Sequence, residues 1–96
     1  MNETIPRRKR IGRIKTDLWK IPGIGELVEP SLVRLGYRTI KSLRDVDPES
    51  LYEKECLVCG HHVDRRLLYR YRCAVYFANN PSHPDPEKLE PDYWKD

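Results

Sequence analysis

The stretch KIPGIGE, residues 20–26, has the residue types that bind a phosphate through the backbone. Its two glycines, Gly23 and Gly25, permit a positive φ and bring bare backbone close to a ligand. If a helix begins here, its first N–H groups have no acceptor inside the helix and point at an anion, with the helix dipole behind them. A DNA phosphate held in this way is bound without any reading of sequence. A turn that only connects two helices is the alternative interpretation.

The elements that would position this turn are two short helices. Thr16 or Asp17 can cap the first helix, and Pro22 ends it, because the residue before a proline is pushed out of the helical region. A second helix follows with apolar residues at helical spacing, and Gly36 closes it as a left-handed cap. The pattern apolar-x-Gly-apolar-Gly over residues 21–25 is typical of a helix-hairpin-helix motif.

The rest of the sequence predicts three further helices. Thr39 caps a short one, and Asp47-Pro48 starts the next with a capping carboxylate followed by a proline at the first helical position. Gly60 stops that helix, and Asp64 starts the last one, whose apolar residues between 67 and 78 fall on one stripe that suits the core. No segment alternates with period two. We therefore predict an all-α fold, a small domain of about five helices with one helix-hairpin-helix motif.

Four stretches of this sequence resemble a known family: DLWKIPGIG, LGYRTIKSLRDVDPESLYEKE, VDRRLLYRYRCAVYFA and PDPEKLEPDYWKD. They are similar to the pathogenicity-locus helix-hairpin-helix family of small bacterial proteins, some of which are labelled mitomycin-resistance proteins. The resemblance covers about residues 17–96, and RCAVYFA together with the Pro-Asp-Pro-Glu sequence is its specific part. It implies a small all-α bacterial protein with one helix-hairpin-helix motif, and the DNA binding that it implies rests on that motif.

Two positions depart from the general hairpin pattern. Position 29, usually a small residue such as alanine, is Glu29, and position 30 is Pro30, which removes an N–H or delays the start of the helix. Glu26 and Glu29 also place negative charge where a phosphate would dock, so they compete with DNA for the same amides. The phosphate cradle and the purely structural turn both remain open at this point.

The excess positive charge of the chain lies in its first fifteen residues. The net charge is +3 overall, and residues 1–15 hold six Lys/Arg against one Glu, a net of +5. Residues 16–80 hold ten against nine, a net of +1, and residues 81–96 hold two against five, a net of −3. We therefore expect a flexible basic arm (1–15), a helix-hairpin-helix domain (16–80) and an acidic, proline-rich tail (81–96). The arm suits salt-dependent binding to nucleic acid, and a solubilising terminus is the alternative.

The candidate nucleic-acid site combines the cradle with the cations around it. The backbone of the cradle belongs to Gly23, Ile24, Gly25, Glu26 and Leu27. The cations expected to flank it are Lys20, Arg34 and Arg38. The cations of the arm, which would add long-range attraction, are Arg7, Arg8, Lys9, Arg10, Arg13 and Lys15.

The last predicted helix carries a second cationic surface. Its members are Arg65, Arg66, Arg70 and Arg72, with Tyr69 and Tyr76 between them. Cationic and aromatic side chains on one surface suit phosphate contact and base stacking. The alternative is an exposed helix face whose arginines pair with Glu53, Glu55 or Asp64.

The stretch CLVCGHH contains four residues of the types that ligate zinc: Cys56, Cys59, His61 and His62. Strong zinc sites usually draw two pairs of ligands from separated segments, and Cys56 also fits a buried stripe as a small apolar residue. We predict no metal site and name these four residues as the candidates for one. Three cysteines, an odd number, argue against a disulfide framework and for a reducing cytosol.

Taken together, these patterns predict a small cytoplasmic protein that binds DNA non-specifically through phosphates. No motif for nucleotide hydrolysis or nuclease metal binding is present, so we expect no enzymatic activity and no cofactor. No run approaches the ~20 apolar residues that cross a bilayer. A homodimer would supply a second hairpin. The alternative is a protein-interaction or structural module, in which Trp19, Tyr93 and Trp94 anchor a protein partner or a folded-back tail.

Overall fold

Residues 15–96 are described by a computed structural model and fold into three α-helices joined by short 3₁₀ helices. The α-helices are α1 (Gly25–Arg34), α2 (Pro48–Cys59) and α3 (Arg66–Asn79). The 3₁₀ helices are η1 (Asp17–Lys20), η2 (Lys41–Leu43), η3 (Pro86–Leu89) and η4 (Pro91–Trp94). These residues contain no strand, so the predicted all-α class is confirmed. None of the helices described here is both long enough and apolar enough to cross a membrane.

The predicted number of about five helices is wrong for the described residues, because two of the predicted helices are single 3₁₀ turns. η1 has four residues, and Ile21 leaves the helical region before Pro22 with φ −65° and ψ 122°. η2 has three residues and ends at Leu43, because the next residue, Arg44, has an extended ψ of 132°. Asp45 follows with a positive φ of 60°. Neither turn continues far enough to become an α-helix.

The ends of α1 and α2 follow the local signals in the sequence. After α1, Gly36 has a φ of 100°, and the N–H of Tyr37 donates to the carbonyl of Leu32 over 2.9 Å, as in a Schellman motif. α2 begins where the carboxylate of Asp47 accepts the N–H of Glu49 over 3.1 Å. Gly60, with a φ of 76°, ends α2. The predicted caps at residues 36, 47 and 60 are therefore confirmed.

The core is built around α3, as its apolar stripe predicts. Leu68, Tyr71 and Ala74 are fully buried, and α3 contacts α1, α2, η2, η3 and η4. The hydroxyl of Tyr71 donates a hydrogen bond to Ser31 Oγ over 2.8 Å, which joins α3 to α1 inside the core. α1 is therefore fixed against α3 by a polar contact as well as by apolar packing.

Residues 81–96 pack against α3 through η3 and η4. The indole of Trp94 is half-buried, donates to the carbonyl of Lys88 over 2.7 Å, and has its ring centroid 5.9 Å from that of Tyr76. The hydroxyl of Tyr76 also accepts the N–H of Asp85 over 2.8 Å. These contacts give the acidic segment a defined position over one face of α3.

Candidate nucleic-acid interface

The turn between η1 and α1 needs both of its glycines, for different reasons. Gly23 has a φ of 77°, a left-handed conformation that favours glycine. Gly25 lies so close to η1 that a Cβ would be 2.5 Å from the carbonyl oxygen of Leu18 and 2.6 Å from that of Trp19. Any larger residue at position 25 would therefore displace backbone. Gly25 has a packing role, and Gly23 has a conformational one.

Three N–H groups at this turn, those of Gly23, Ile24 and Glu26, find no acceptor within residues 15–96. The side chain of Ile24 cannot cap α1, so the first turn of the helix carries no side-chain acceptor. Gly23 and Glu26 are exposed, and a Cβ on Gly23 would meet nothing within 4 Å. Two of the three unpaired donors, those of Gly23 and Glu26, therefore belong to exposed residues at the positive end of α1, whereas Ile24 is buried.

Glu29 does not lie where the sequence analysis placed it. Its side chain is 1% exposed and accepts hydrogen bonds from the N–H of Thr16 (2.7 Å), the hydroxyl of Thr16 (3.0 Å) and the indole of Trp19 (2.6 Å). The interpretation that Glu29 competes with DNA for the amides is therefore wrong. Its carboxylate instead joins the start of η1 to the middle of α1 and fixes the angle between them.

Pro30 lies inside α1 and does not delay its start, because the helix already begins at Gly25. The missing N–H of Pro30 leaves the carbonyl of Glu26 without its usual donor four residues on. The side chain of Glu26 is exposed in the first turn of α1. Of the two acids that the sequence placed beside the cradle, Glu26 is the one that remains there.

Lysines lie on the η1 side of the turn. Lys20 is exposed and is the last residue of η1, directly before the turn. Lys15 is also exposed, and its ammonium group lies 4.2 Å from the ring centroid of Trp19. Leu27, another residue of the predicted cradle, is 51% exposed in the first turn of α1. The predicted arm cations that lie outside the described residues are Arg7, Arg8, Lys9, Arg10 and Arg13.

Arg34 and Arg38 lie at the other end of α1. Arg34 is the last residue of α1, about 13 Å from Gly25 at a rise of ~1.5 Å per residue. Its guanidinium group pairs with the buried carboxylate of Glu55 in α2. Arg38 is exposed in the segment that follows the Gly36 cap. The segment that contains Arg38 returns to η1, because the N–H of Ile40 donates to the carboxylate of Asp17 over 3.0 Å. The structure therefore separates Arg34, but not Arg38, from the η1 side of the turn.

The arginines at the start of α3 have carboxylate partners. Arg66 pairs with Asp64 over 2.7 Å, and the hydrogen bonds from Arg66 lower the pKa of Asp64 to about 2. Asp64 also accepts the backbone N–H of Arg66 over 2.9 Å, in agreement with its predicted place at the start of this helix. The predicted alternative, in which the α3 arginines form internal ion pairs, therefore holds for Arg66.

Arg65 and Arg72 share a partner that the sequence analysis missed. Both bind the carboxylate of Asp96, over 2.5 Å and 3.1 Å, and these bonds, that of Arg65 first, lower its pKa. Arg72 also pairs with Glu49 at the start of α2, over 3.2 Å. No local spacing identifies these pairs, because the partners lie far apart along the chain.

The two cysteines of CLVCGHH contact different partners. Cys56 Sγ accepts the N–H of Val63 over 3.4 Å, whereas Cys59 Sγ donates to the carboxylate of Glu55 over 3.6 Å. The other two candidate zinc ligands, His61 and His62, are exposed. In the described part of the chain, no three His, Cys, Asp or Glu side chains are grouped as a metal site requires.

Comparison with family models gives a match over residues 12–95 to the family described as Pathogenicity locus. The matched region includes η1, the glycine turn, all three α-helices and the segment that packs against α3. Neither the curated proteins nor the solved structures give a match to this chain.

Proposed function

The chain belongs to the pathogenicity-locus family, and we propose that it is a non-enzymatic protein that binds DNA without sequence preference. The binding element is a helix-hairpin-helix motif formed by η1, the turn at residues 21–24, and α1. The observation that carries this proposal is the set of N–H groups of Gly23, Ile24 and Glu26, for which residues 15–96 offer no acceptor. The oxygens of a phosphate supply the acceptors that these donors lack. Such contacts reach only the DNA backbone, so they carry no sequence information.

The rigid support of the turn favours this function. Glu29 holds η1 through Thr16 and Trp19, and Gly25 allows the two elements to approach closely. The donors are therefore fixed in position before a ligand arrives, which lowers the entropic cost of binding. Because Glu29 is buried against η1, it leaves the surface of the turn free for a phosphate.

The side-chain charges near the turn are balanced in the described residues, so the excess positive charge that would attract an anion lies in the arm. Lys15 and Lys20 lie on the η1 side, and the carboxylates of Asp17 in η1 and Glu26 in α1 oppose them. The five further cations between positions 7 and 13 precede Lys15 directly in the sequence. Long-range attraction by these cations would raise the rate of encounter with DNA and make binding depend strongly on salt.

The test uses the full chain, a labelled DNA duplex and fluorescence anisotropy across a salt series. Gly23→Ala should weaken binding several-fold, because the added methyl group enters the open space next to the N–H of Gly23, which is one of the three donors. Gly36→Ala is the matched control, since Gly36 also has a positive φ and open space around it but lies beyond the far end of α1. Equal weakening by both variants would attribute the loss to strain and would remove the support for a phosphate at the turn.

A second variant separates the turn from the basic arm. Five arm cations are replaced by glutamine in it: Arg7, Arg8, Lys9, Arg10 and Arg13. If binding to DNA is weaker but still depends on Gly23, the turn and the arm contribute separately, as proposed. If this variant no longer binds DNA while Gly23→Ala has no effect, the turn is only structural. Absence of binding by the unmodified chain at low salt would end the DNA proposal.

A protein-interaction module is the second candidate, and two exposed apolar side chains favour it. Leu57 is 81% exposed and Val58 is 59% exposed, at neighbouring positions near the end of α2. Trp19 and Trp94, in contrast, use their indole N–H groups for internal hydrogen bonds. Sedimentation of the chain and of a Leu57→Ser variant would test whether Leu57 joins two copies and so pairs two hairpins.

A further inference from the structure

Arg65 and Arg72 hold a single carboxylate between them on one face of α3. Arg65 Nε donates to Oδ2 of Asp96 over 2.5 Å, and Arg72 Nη1 donates to Oδ1 over 3.1 Å. The two arginines are seven positions apart, so they lie on the same side of the helix. Tyr69 lies between them, with its ring centroid 5.9 Å from the guanidinium carbon of Arg72. The two guanidinium groups thus hold the carboxylate of Asp96 between them, and Arg72 also keeps its ion pair with Glu49 of α2 over 3.2 Å.

The ion pair with Asp96 is the exposed part of the contact between α3 and the acidic segment. The side chains of Arg65 and Asp96 are 51% and 46% exposed, whereas that of Arg72 is 18% exposed. Arg72 Nη1 also donates to the carbonyl of Trp94 over 2.5 Å, and the Trp94 ring packs against Tyr76. Exposed ion pairs are weak in water, so the carboxylate of Asp96 can leave while Trp94 stays in place.

We propose that Arg65, Tyr69 and Arg72 form a second surface for the phosphates of nucleic acid, and that the carboxylate of Asp96 occupies this surface in the free protein. A carboxylate and a phosphodiester both offer a pair of oxygens to arginine, so the two anions compete for the same guanidinium groups. The ring of Tyr69 offers a face for an unpaired base beside the phosphate. This inference rests on the proposed function, because it names a further contact surface for the same ligand.

The charge of the acidic segment does not by itself explain the contact. Residues 81–96 carry a net charge of −3, yet Asp96 is the acid of this segment that pairs with an arginine of α3 in the described residues. Asp92 is exposed and makes no ion pair in that part of the structure. The ion pair with α3 therefore depends on the position of the acid and not only on its charge. Asp92 is for this reason a matched control for the removal of Asp96.

The test compares Asp96→Asn with Asp92→Asn in the full chain, since both variants remove one negative charge from the same segment. Anisotropy of labelled DNA across a salt series should show several-fold tighter binding for Asp96→Asn. The slope of log K against log salt should steepen by roughly 1–2 for one or two additional phosphates. Addition of Arg65→Gln to Asp96→Asn should remove the gain. Thermal unfolding of each variant checks that the fold is retained.

Several outcomes would overturn the inference. Equal tightening by Asp92→Asn would mean that only total charge matters. A gain that survives the addition of Arg65→Gln would place the new contact elsewhere. Binding of Asp96→Asn to vesicles of anionic lipid, without tighter binding to DNA, would assign the surface to lipid headgroups.

The same measurements separate this inference from the proposed function. If Gly23→Ala weakens binding but Asp96→Asn gives no gain, only the α3 surface fails. If Asp96→Asn gives its gain while Gly23→Ala and Gly36→Ala behave alike, the α3 surface stands and the hairpin proposal fails. If the unmodified chain and the Asp96→Asn variant both fail to bind DNA, both proposals fail.

Discussion

The indole nitrogen of Trp19 donates a hydrogen bond to the carboxylate of Glu29, and the two atoms are 2.6 Å apart. The same carboxylate accepts both the N–H and the hydroxyl of Thr16. This buried glutamate therefore connects η1 and the residue before it with the middle of α1. Its hydrogen bonds stabilise the arrangement of these two elements on either side of the glycine turn.

Replacement of Glu29 by alanine should destabilise the fold by about 2–4 kcal/mol, because at least three donors at η1 lose their acceptor. Urea unfolding followed by circular dichroism measures the change. Glu26→Ala is the control, since this exposed glutamate in the same helix should change the free energy of unfolding by less than ~0.5 kcal/mol. Similar effects of the two variants would show that the contacts of Glu29 add nothing specific.

Gly25→Ala should cost more stability than the same change at Gly60. A methyl group on Gly25 meets two backbone carbonyl oxygens, those of Leu18 and Trp19, which cannot rotate away. Gly60 has a positive φ but open space around it, so its replacement should cost only about 1–2 kcal/mol. Unfolding curves in urea measure the loss of stability in each variant. A smaller loss for Gly25→Ala than for Gly60→Ala would contradict the clash at Gly25.

Much of the fold could be predicted because its signals are local. The caps at Asp47 and Gly36 depend on side chains and backbone within a few residues of the helix end. The stripe of α3 likewise follows from helical periodicity alone. The contacts of Glu29 and Asp96 could not be predicted in this way, because each depends on which distant donor the fold brings near. Charge in the sequence is therefore a poor guide to which acids face solvent.

Pro30→Ala should stabilise the chain by roughly 1–3 kcal/mol. Alanine restores the N–H that can donate to the carbonyl of Glu26 and removes the clash of the proline ring inside α1. Pro48→Ala should have the opposite sign, because Pro48 lies at the first position of α2, where proline is favourable. Differential scanning calorimetry of the two variants gives the comparison. A lower melting temperature for Pro30→Ala would mean that the proline serves the packing of α1.

Glu26→Gln should strengthen DNA binding about two- to fivefold at low salt, because it removes the acid beside the unpaired donors of the turn. Its matched control is Glu53→Gln, an exposed acid on α2. Anisotropy titrations that show the same gain for both variants would attribute it to net charge. Weaker binding by Glu26→Gln would count against a phosphate at the turn.

Alkaline pH should destabilise the fold through two buried groups in α3. Burial raises the pKa of the Tyr71 hydroxyl from 10.0 to about 12 and that of the Cys73 thiol from 9.0 to about 12. Between the ordinary and the raised values, the folded state keeps protons that the unfolded chain releases. Each group therefore makes its full contribution to the free energy of unfolding at a pH below its ordinary pKa. This contribution is lost as the pH rises toward about 12.

The free energy of unfolding should fall above about pH 9, by at most ~1.4 kcal/mol per pH unit for each group, and the melting temperature measured from pH 8 upward should fall with it. Tyr71→Phe should lower stability at pH 8, because Ser31 loses its hydrogen-bond donor, yet its curve should fall less steeply above pH 10. Tyr93→Phe changes an exposed tyrosine and is the control, because it should leave the slope of melting temperature against pH unchanged. The loss of a hydrogen bond shifts the whole curve of melting temperature against pH, whereas the loss of an ionisable group changes the slope of this curve. Parallel curves for Tyr71→Phe and the unmodified chain would therefore contradict the role of Tyr71 in the alkaline transition.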